Sequence, residues 1–148
     1  MTRINSAIPV ENLTDEHLIA EHLEISRLPG CLLRAIKSGS VNKIPKEFTL
    51  GEGHVTFFVD KSGFTKKRFI EIHNECLKRG FNVQDYSNSW DVCDDIYMND
   101  YKPTKKEYNI LLDRIEERIM NSPKKYFHYN HERISKELAI KIIKNGNK

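Results

Sequence analysis

The sequence predicts an all-α protein of one domain, and three observations carry that expectation. Apolar residues recur at helical spacing in separate stretches. Those stretches open on capping residues and stop at glycine or proline. The chain is 148 residues long, enough for one core of its own, and shows no internal repeat.

The elements follow in order. "LTDEHLIAEHLEI" opens on Thr14 as N-cap with acids in its first turn, and Leu18, Ile19, Leu23 and Ile25 give it an apolar side. "LPG" at 28–30 kinks or ends this helix, and "CLLRAIKSG" is its short continuation as far as Gly39. "VTFFVD" at 55–60 reads either as a strand or as a buried loop. "FTKKRFIEIHNECLKRG" repeats Phe69, Ile72, Cys76 and Leu77 at helical spacing, with Gly80 where a left-handed C-cap is wanted. Residues 81–102, rich in Asp, Asn and Ser, read as a long surface loop.

"PTKKEYNILLDRIEERIMNSP" carries a capping box, Thr104 with Glu107, and then a stripe of Leu111, Ile115 and Ile119 with Leu112 beside it. Pro123 stops it. "HERISKELAIKIIKNG" places Ile134, Leu138 and Ile142 at the same spacing and ends near Gly146. The expectation is a compact single domain of about four helical segments with long loops. Residues 1–130 form its body, and an extra C-terminal helix within 131–148 packs on or beside it.

Hydrophobic residues make up 39% of the chain and charged residues 30%, as in a soluble globular protein. No apolar run approaches membrane-spanning length and the N-terminus lacks a signal-peptide stretch, so the reading is cytoplasmic with no membrane partner. Cys31, Cys76 and Cys93 show no CxxC spacing, and His73 before Cys76 has no second pair to complete a zinc site. Charge is uneven: residues 61–84 carry six basic and two acidic side chains, 85–100 none and five, 101–148 twelve and six. Two basic segments flanking an acidic loop are the footprint of a polyanion binder.

The start of the chain offers chemistry. If the initiator is trimmed, "MTRIN" leaves Thr2 at the terminus. An α-amine has a pKa of about 7.7–8.0, so roughly a tenth or more is the neutral nucleophile at neutral pH. Such an amine attacks an electrophilic carbon and yields an imine, an electron sink for elimination. Its natural companion is a carboxylate that stabilises developing positive charge and moves protons, and Glu24 stands on the first helix with His22, Arg27 and Arg34 near it in sequence.

"MTRIN", "TDEHLIAEHLEISRLPG", "GEGHVTFFVDK" and "ECLKRGFN" together resemble the phage-type pyrimidine dimer DNA glycosylases, the T4 endonuclease V family. That family's pattern runs Met-Thr-Arg, Asp-Gln-His-Leu-Met-Ala-Glu, then Gly-x-Gly-His-Val. The match is strong over 1–29 and 50–82, weaker over 103–129 and absent after 130.

The resemblance implies a small all-α, endonuclease V-like enzyme, monomeric and without metal or organic cofactor, that bends damaged or abasic double-stranded DNA. Its N-terminal threonine amine attacks C1′ of the damaged nucleotide, the base leaves, and β-elimination breaks the strand. Thr2 falls on the nucleophile and Glu24 on the catalytic glutamate. Arg3, His17 and Arg27 fall on positions at the DNA and the active site, and Arg114 and Arg118 on a basic pair of a later helix. His54 reads as structural, holding the "GHVTFF" turn.

Three positions depart from the pattern. Glu16 replaces a glutamine, Leu23 replaces an arginine that grips DNA, and "KYFHY" replaces a Trp-Tyr-Lys-Tyr-Tyr cluster. Two other readings therefore stay open: the same fold acting on a different modified base or nucleotide-like substrate, and a DNA-binding module without catalysis.

Overall fold

Thr14 opens the first helix as its spacing predicts: its hydroxyl accepts the backbone N–H of His17 at 3.1 Å, and α1 runs Asp15–Ile25. In this computed structural model, which describes residues 4–146, five further α-helices follow among the described residues. They are α2 (Leu28–Ser38), α3 (His54–Phe58), α4 (Ser62–Lys78), α5 (Lys105–Met120) and α6 (Lys136–Asn145). Short 3-10 turns at Val10–Asn12, Ser40–Lys43, Ser87–Val92 and Asp95–Tyr97 join them. The fold is all-α apart from a single hairpin, β1 (Tyr126–Tyr129) against β2 (Glu132–Ser135), with Phe127 opposite Ile134.

Four local differences from the sequence reading have physical causes. Pro29 sits in the first turn of α2, where its missing N–H costs no bond, so "LPG" starts a second helix that Gly39 closes at φ 85°. The run at 55–60 is mostly helical: Gly51 and Gly53 take φ of 69° and 91°, and the turn they make delivers His54 to the start of α3. The segment 81–102 is no plain surface loop, because Trp90 is buried there and donates its indole N–H to Thr65 Oγ1 at 3.0 Å. Residues 132–135 are strand, and the last helix begins only at Lys136 with Ser135 as its N-cap.

The interior side of α1 also differs. Leu18 and Ile25 are fully buried, but Ile19 is 40% and Leu23 45% exposed. Asp15, Glu21 and His22 are buried in their place, each with a partner on or next to α4. Glu21 takes two bonds from Arg68, at 2.9 and 3.2 Å, and Asp15 takes one from Arg79 at 2.9 Å. His22 Nε2 meets His73 Nδ1 at 3.1 Å. A buried carboxylate is tolerable only with such charge-assisted partners. The buried face of α1 therefore carries these polar pairs beside Leu18 and Ile25, where the sequence reading gave the helix a purely apolar side.

The apolar core proper lies beside that seam. Phe57, Phe58, Phe69 and Trp90 meet the α5 stripe Leu111, Ile115 and Ile119, each side chain contributing roughly 1.5–3 kcal/mol on burial. Ala139, Ile142 and Ile143 of α6 are buried against α5 and the hairpin. Within the altered aromatic segment, Phe127 joins this core and Tyr129 donates its hydroxyl to the Glu11 carbonyl at 2.7 Å, while Tyr126 lies on the surface under Arg133.

Candidate active site

The chain from Ile4 to Leu13 has little regular structure of its own, so its backbone polar groups and side chains must find partners elsewhere. They find them in succession. The Ile4 N–H donates to His54 Nε2 at 3.0 Å, and Asn5 Nδ2 donates to Glu21 Oε1 at 3.0 Å. The Ser6 hydroxyl donates to Glu107, whose other oxygen receives the Tyr101 hydroxyl. The Ile8 carbonyl accepts Arg68 Nη1 at 2.6 Å, and the Leu13 carbonyl accepts Arg79 Nη1 at 2.8 Å. Four helices and a loop thus hold the entry of the chain in one path.

Glu107 shows how the sequence reading was half right. Its N–H is capped by Thr104 at 3.1 Å, as expected, but its carboxylate turns inward to Ser6 and Tyr101 rather than back to the cap. Burial and this carboxylate push the Tyr101 hydroxyl's pKa above the ordinary tyrosine range, so the phenol stays a donor.

Where this segment passes between α1 and α5, an open cleft of about 250 Å³ remains. His17, Ala20, Glu21 and Glu24 line one wall; they are spaced i, i+3, i+4 and i+7, one face of α1. Arg114, Ile115 and Arg118 of α5 line the other, and Asn5 forms the floor. Small Ala20 leaves the space, while Glu24, His17, Arg114 and Arg118 are all half-buried at its edge.

The two guanidiniums stand one turn apart. Burial first, and Arg114 second, lower the Arg118 pKa, with Glu117 opposing. Two cations held together at the rim of a cleft form an electropositive edge that an anion relieves. His17 is fixed in turn: its Nδ1 lies 2.5 Å from Thr14 Oγ1, and its ring stacks on Phe127 at 5.9 Å.

Four of the residues singled out from the sequence, His17, Glu24, Arg114 and Arg118, therefore meet at one cleft although they span about a hundred positions. Arg27 does not line it; it is exposed at the junction of α1 and α2. Thr2 and Arg3 lie outside the described residues. Asn5 and Glu21 were missed, although Glu21 precedes Glu24 by three residues, the spacing that puts both on one helix face.

Glu16 is not turned to the cleft's cations. Its carboxylate accepts the His128 backbone N–H and meets His128 Nδ1, both at 2.9 Å, and so fastens the hairpin to α1. Leu23, next to Glu24, has no such engagement in the interior and stands exposed.

Comparison with families of known proteins places the chain beside one that fits its fold. A model described as pyrimidine dimer DNA glycosylase covers residues 1–88, more than half of the chain. The matched part includes the N-terminal segment, α1 with Glu24, and His54; the arginines of α5 lie beyond it.

Proposed function

The chain belongs to the pyrimidine dimer DNA glycosylase family, and from that premise we propose that it removes damaged pyrimidines from double-stranded DNA and then cuts the strand by lyase chemistry, through an imine on the Thr2 amine. The observation that carries this reading is the cleft itself. A carboxylate, a pair of arginines and the tethered start of the chain converge there. Thr2 is three residues ahead of Asn5, and at about 3.3–3.6 Å per residue the chain between them spans at most roughly 10–11 Å.

The steps follow from the groups available. The amine's lone pair bonds to C1′ as the glycosidic bond breaks and its electrons leave with the base. Opening of the sugar ring, with one proton passing from the bonded nitrogen to the ring oxygen as the C1′–O bond breaks, then gives the protonated imine. Glu24 stabilises the positive charge that develops at C1′ and takes the C2′ proton, whose departure expels the 3′ phosphate oxygen. Arg114 and Arg118 hold backbone phosphates, and His17, locked between Thr14 and Phe127, presents a polar ring at the mouth. Arg27, exposed at the junction of α1 and α2, offers a further cation to phosphate, and Arg3 is assigned to the DNA by the resemblance alone. The protein acts as a monomer.

The test is to block the amine. Protein carrying one extra residue ahead of Thr2, or acetylated there, should no longer be trapped on abasic DNA by borohydride, yet should bind that DNA almost as tightly. Trapping undiminished in the blocked protein would mean that a lysine supplies the nucleophile.

A further inference from the structure

His54 is buried, with its ring set edge-on against Phe48 at 5.5 Å and Phe58 at 5.4 Å. Its two nitrogens face opposite demands. A backbone N–H can only donate, so Nε2, 3.0 Å from the Ile4 nitrogen, must offer a lone pair. The hydrogen then sits on Nδ1, which donates to the Thr49 carbonyl at 3.0 Å. One tautomer satisfies both contacts, and the surrounding rings keep the imidazole from turning.

The bond to Ile4 reaches further than its residue. In sequence Ile4 stands two residues after Thr2, so the bond holds the chain two residues short of the proposed nucleophile. The loop that supplies His54 is itself constrained. Gly53, just before it, takes a φ of 91°, a left-handed conformation that side chains rarely adopt. One residue later, Asn5 is held by Glu21, which Arg68 holds in turn.

We propose that His54, through its bond to the Ile4 N–H, is a positioning residue that aims the Thr2 amine at C1′. The inference rests on the Thr2 reading above. Its effect belongs to the attack rather than to DNA binding, because His54 itself is buried away from solvent. A displacement of about 1 Å at a reacting group can cost on the order of a hundredfold in rate.

The experiment compares His54→Phe, which fills the aromatic niche without an acceptor, with His54→Gln, whose amide oxygen can still accept from Ile4. Single-turnover borohydride trapping is measured on duplex carrying a pre-formed abasic site, and Kd on the same duplex carrying a tetrahydrofuran analogue. Expected is a fall in trapping rate of roughly a hundredfold for His54→Phe with Kd within about threefold, and recovery to within about tenfold of wild type in His54→Gln. Wild-type trapping by folded His54→Phe, or an equal loss in both variants, would overturn the proposal.

The unaltered protein gives a second measurement should His54→Phe fail to fold. The Ile4 amide should be strongly protected from hydrogen exchange and His54 should show an Nδ1–H, Nε2-acceptor nitrogen signature; free exchange at Ile4 refutes the idea. Blocked-amine protein separates the two failures. If blocking leaves trapping intact, the Thr2 reading is wrong. If blocking abolishes it while His54→Phe traps normally, only the role of His54 is wrong.

Discussion

Replacing Arg114 and Arg118 with glutamine should weaken DNA binding and leave the fold at least as stable, an opposition of sign that follows from their place. The pair stands one turn apart on α5, half-buried at the cleft, and Arg114 already lowers the Arg118 pKa. Like charges at this spacing destabilise a helix by about 0.2–0.5 kcal/mol, so each single change relieves a small strain. Each should also delete the proposed charge-assisted contact to phosphate, worth about 1.5–3 kcal/mol, or roughly 10- to 150-fold in affinity.

Salt gives a second, independent reading. Each phosphate contact contributes a slope of about −0.9 in log affinity against log salt. Removing one should therefore make the loss about 3.5-fold larger at 50 mM than at 200 mM salt. Anisotropy with tetrahydrofuran-containing duplex over that range, beside thermal melts, measures all three quantities. A double variant with affinity within twofold of wild type and an unchanged slope would falsify the assignment of α5 to the DNA.

Leu23→Arg should raise cleavage of dimer-containing duplex and steepen its salt dependence, because the exposed side chain sits beside Glu24 where a cation can reach phosphate; equal dimer cleavage by both proteins refutes this. Arg68→Met should cost about 3–5 kcal/mol by leaving Glu21 buried without its cation, a fall in Tm of roughly 6–20 °C by calorimetry. A loss below about 1 kcal/mol would show that Glu21 needs no such partner. His22→Phe should flatten the acid limb of stability. Burial, and then His73, lower the His22 pKa from 6.5, so below that pH the unfolded chain binds more protons and stability falls as pH drops toward the lowered value. Denaturant midpoints between pH 7 and 5 that stay parallel in both proteins would contradict this.

Much of the scaffold was readable from local signals. Thr14 and Thr104 cap the helices they announce, and the α5 stripe is buried as its spacing demands. Glu24 and the α5 arginines were singled out by resemblance, and they meet across a cleft that no local pattern describes. What escaped depends on distant partners. The interior of α1 looked as though Ile19 and Leu23 belonged in it, because the arginines that make Asp15 and Glu21 acceptable there are about fifty to sixty residues away.

The hairpin was hidden for the same reason. Its turn puts Asn130 and His131 at φ 50° and 73°, and His131 stands where glycine is the usual choice. The Asp15 carboxylate accepts both of their N–H groups, at 2.9 and 2.7 Å, while the His131 ring lies tilted against Phe81 at 4.3 Å. Tertiary contacts supply what the turn residues lack.

That carboxylate also sets an order in time. Asp15 begins α1, but the turn it holds is made 115 residues later. A nascent chain can coil α1 early, yet the acid at its head gains the turn's two N–H donors only after the hairpin has left the ribosome. Because the same helix carries Glu24, the wall of the cleft acquires its final setting late in translation. A chain stalled before residue 130 would thus display a half-built cleft wall, and the closure of the hairpin on Asp15 separates an unfinished polypeptide from a complete fold.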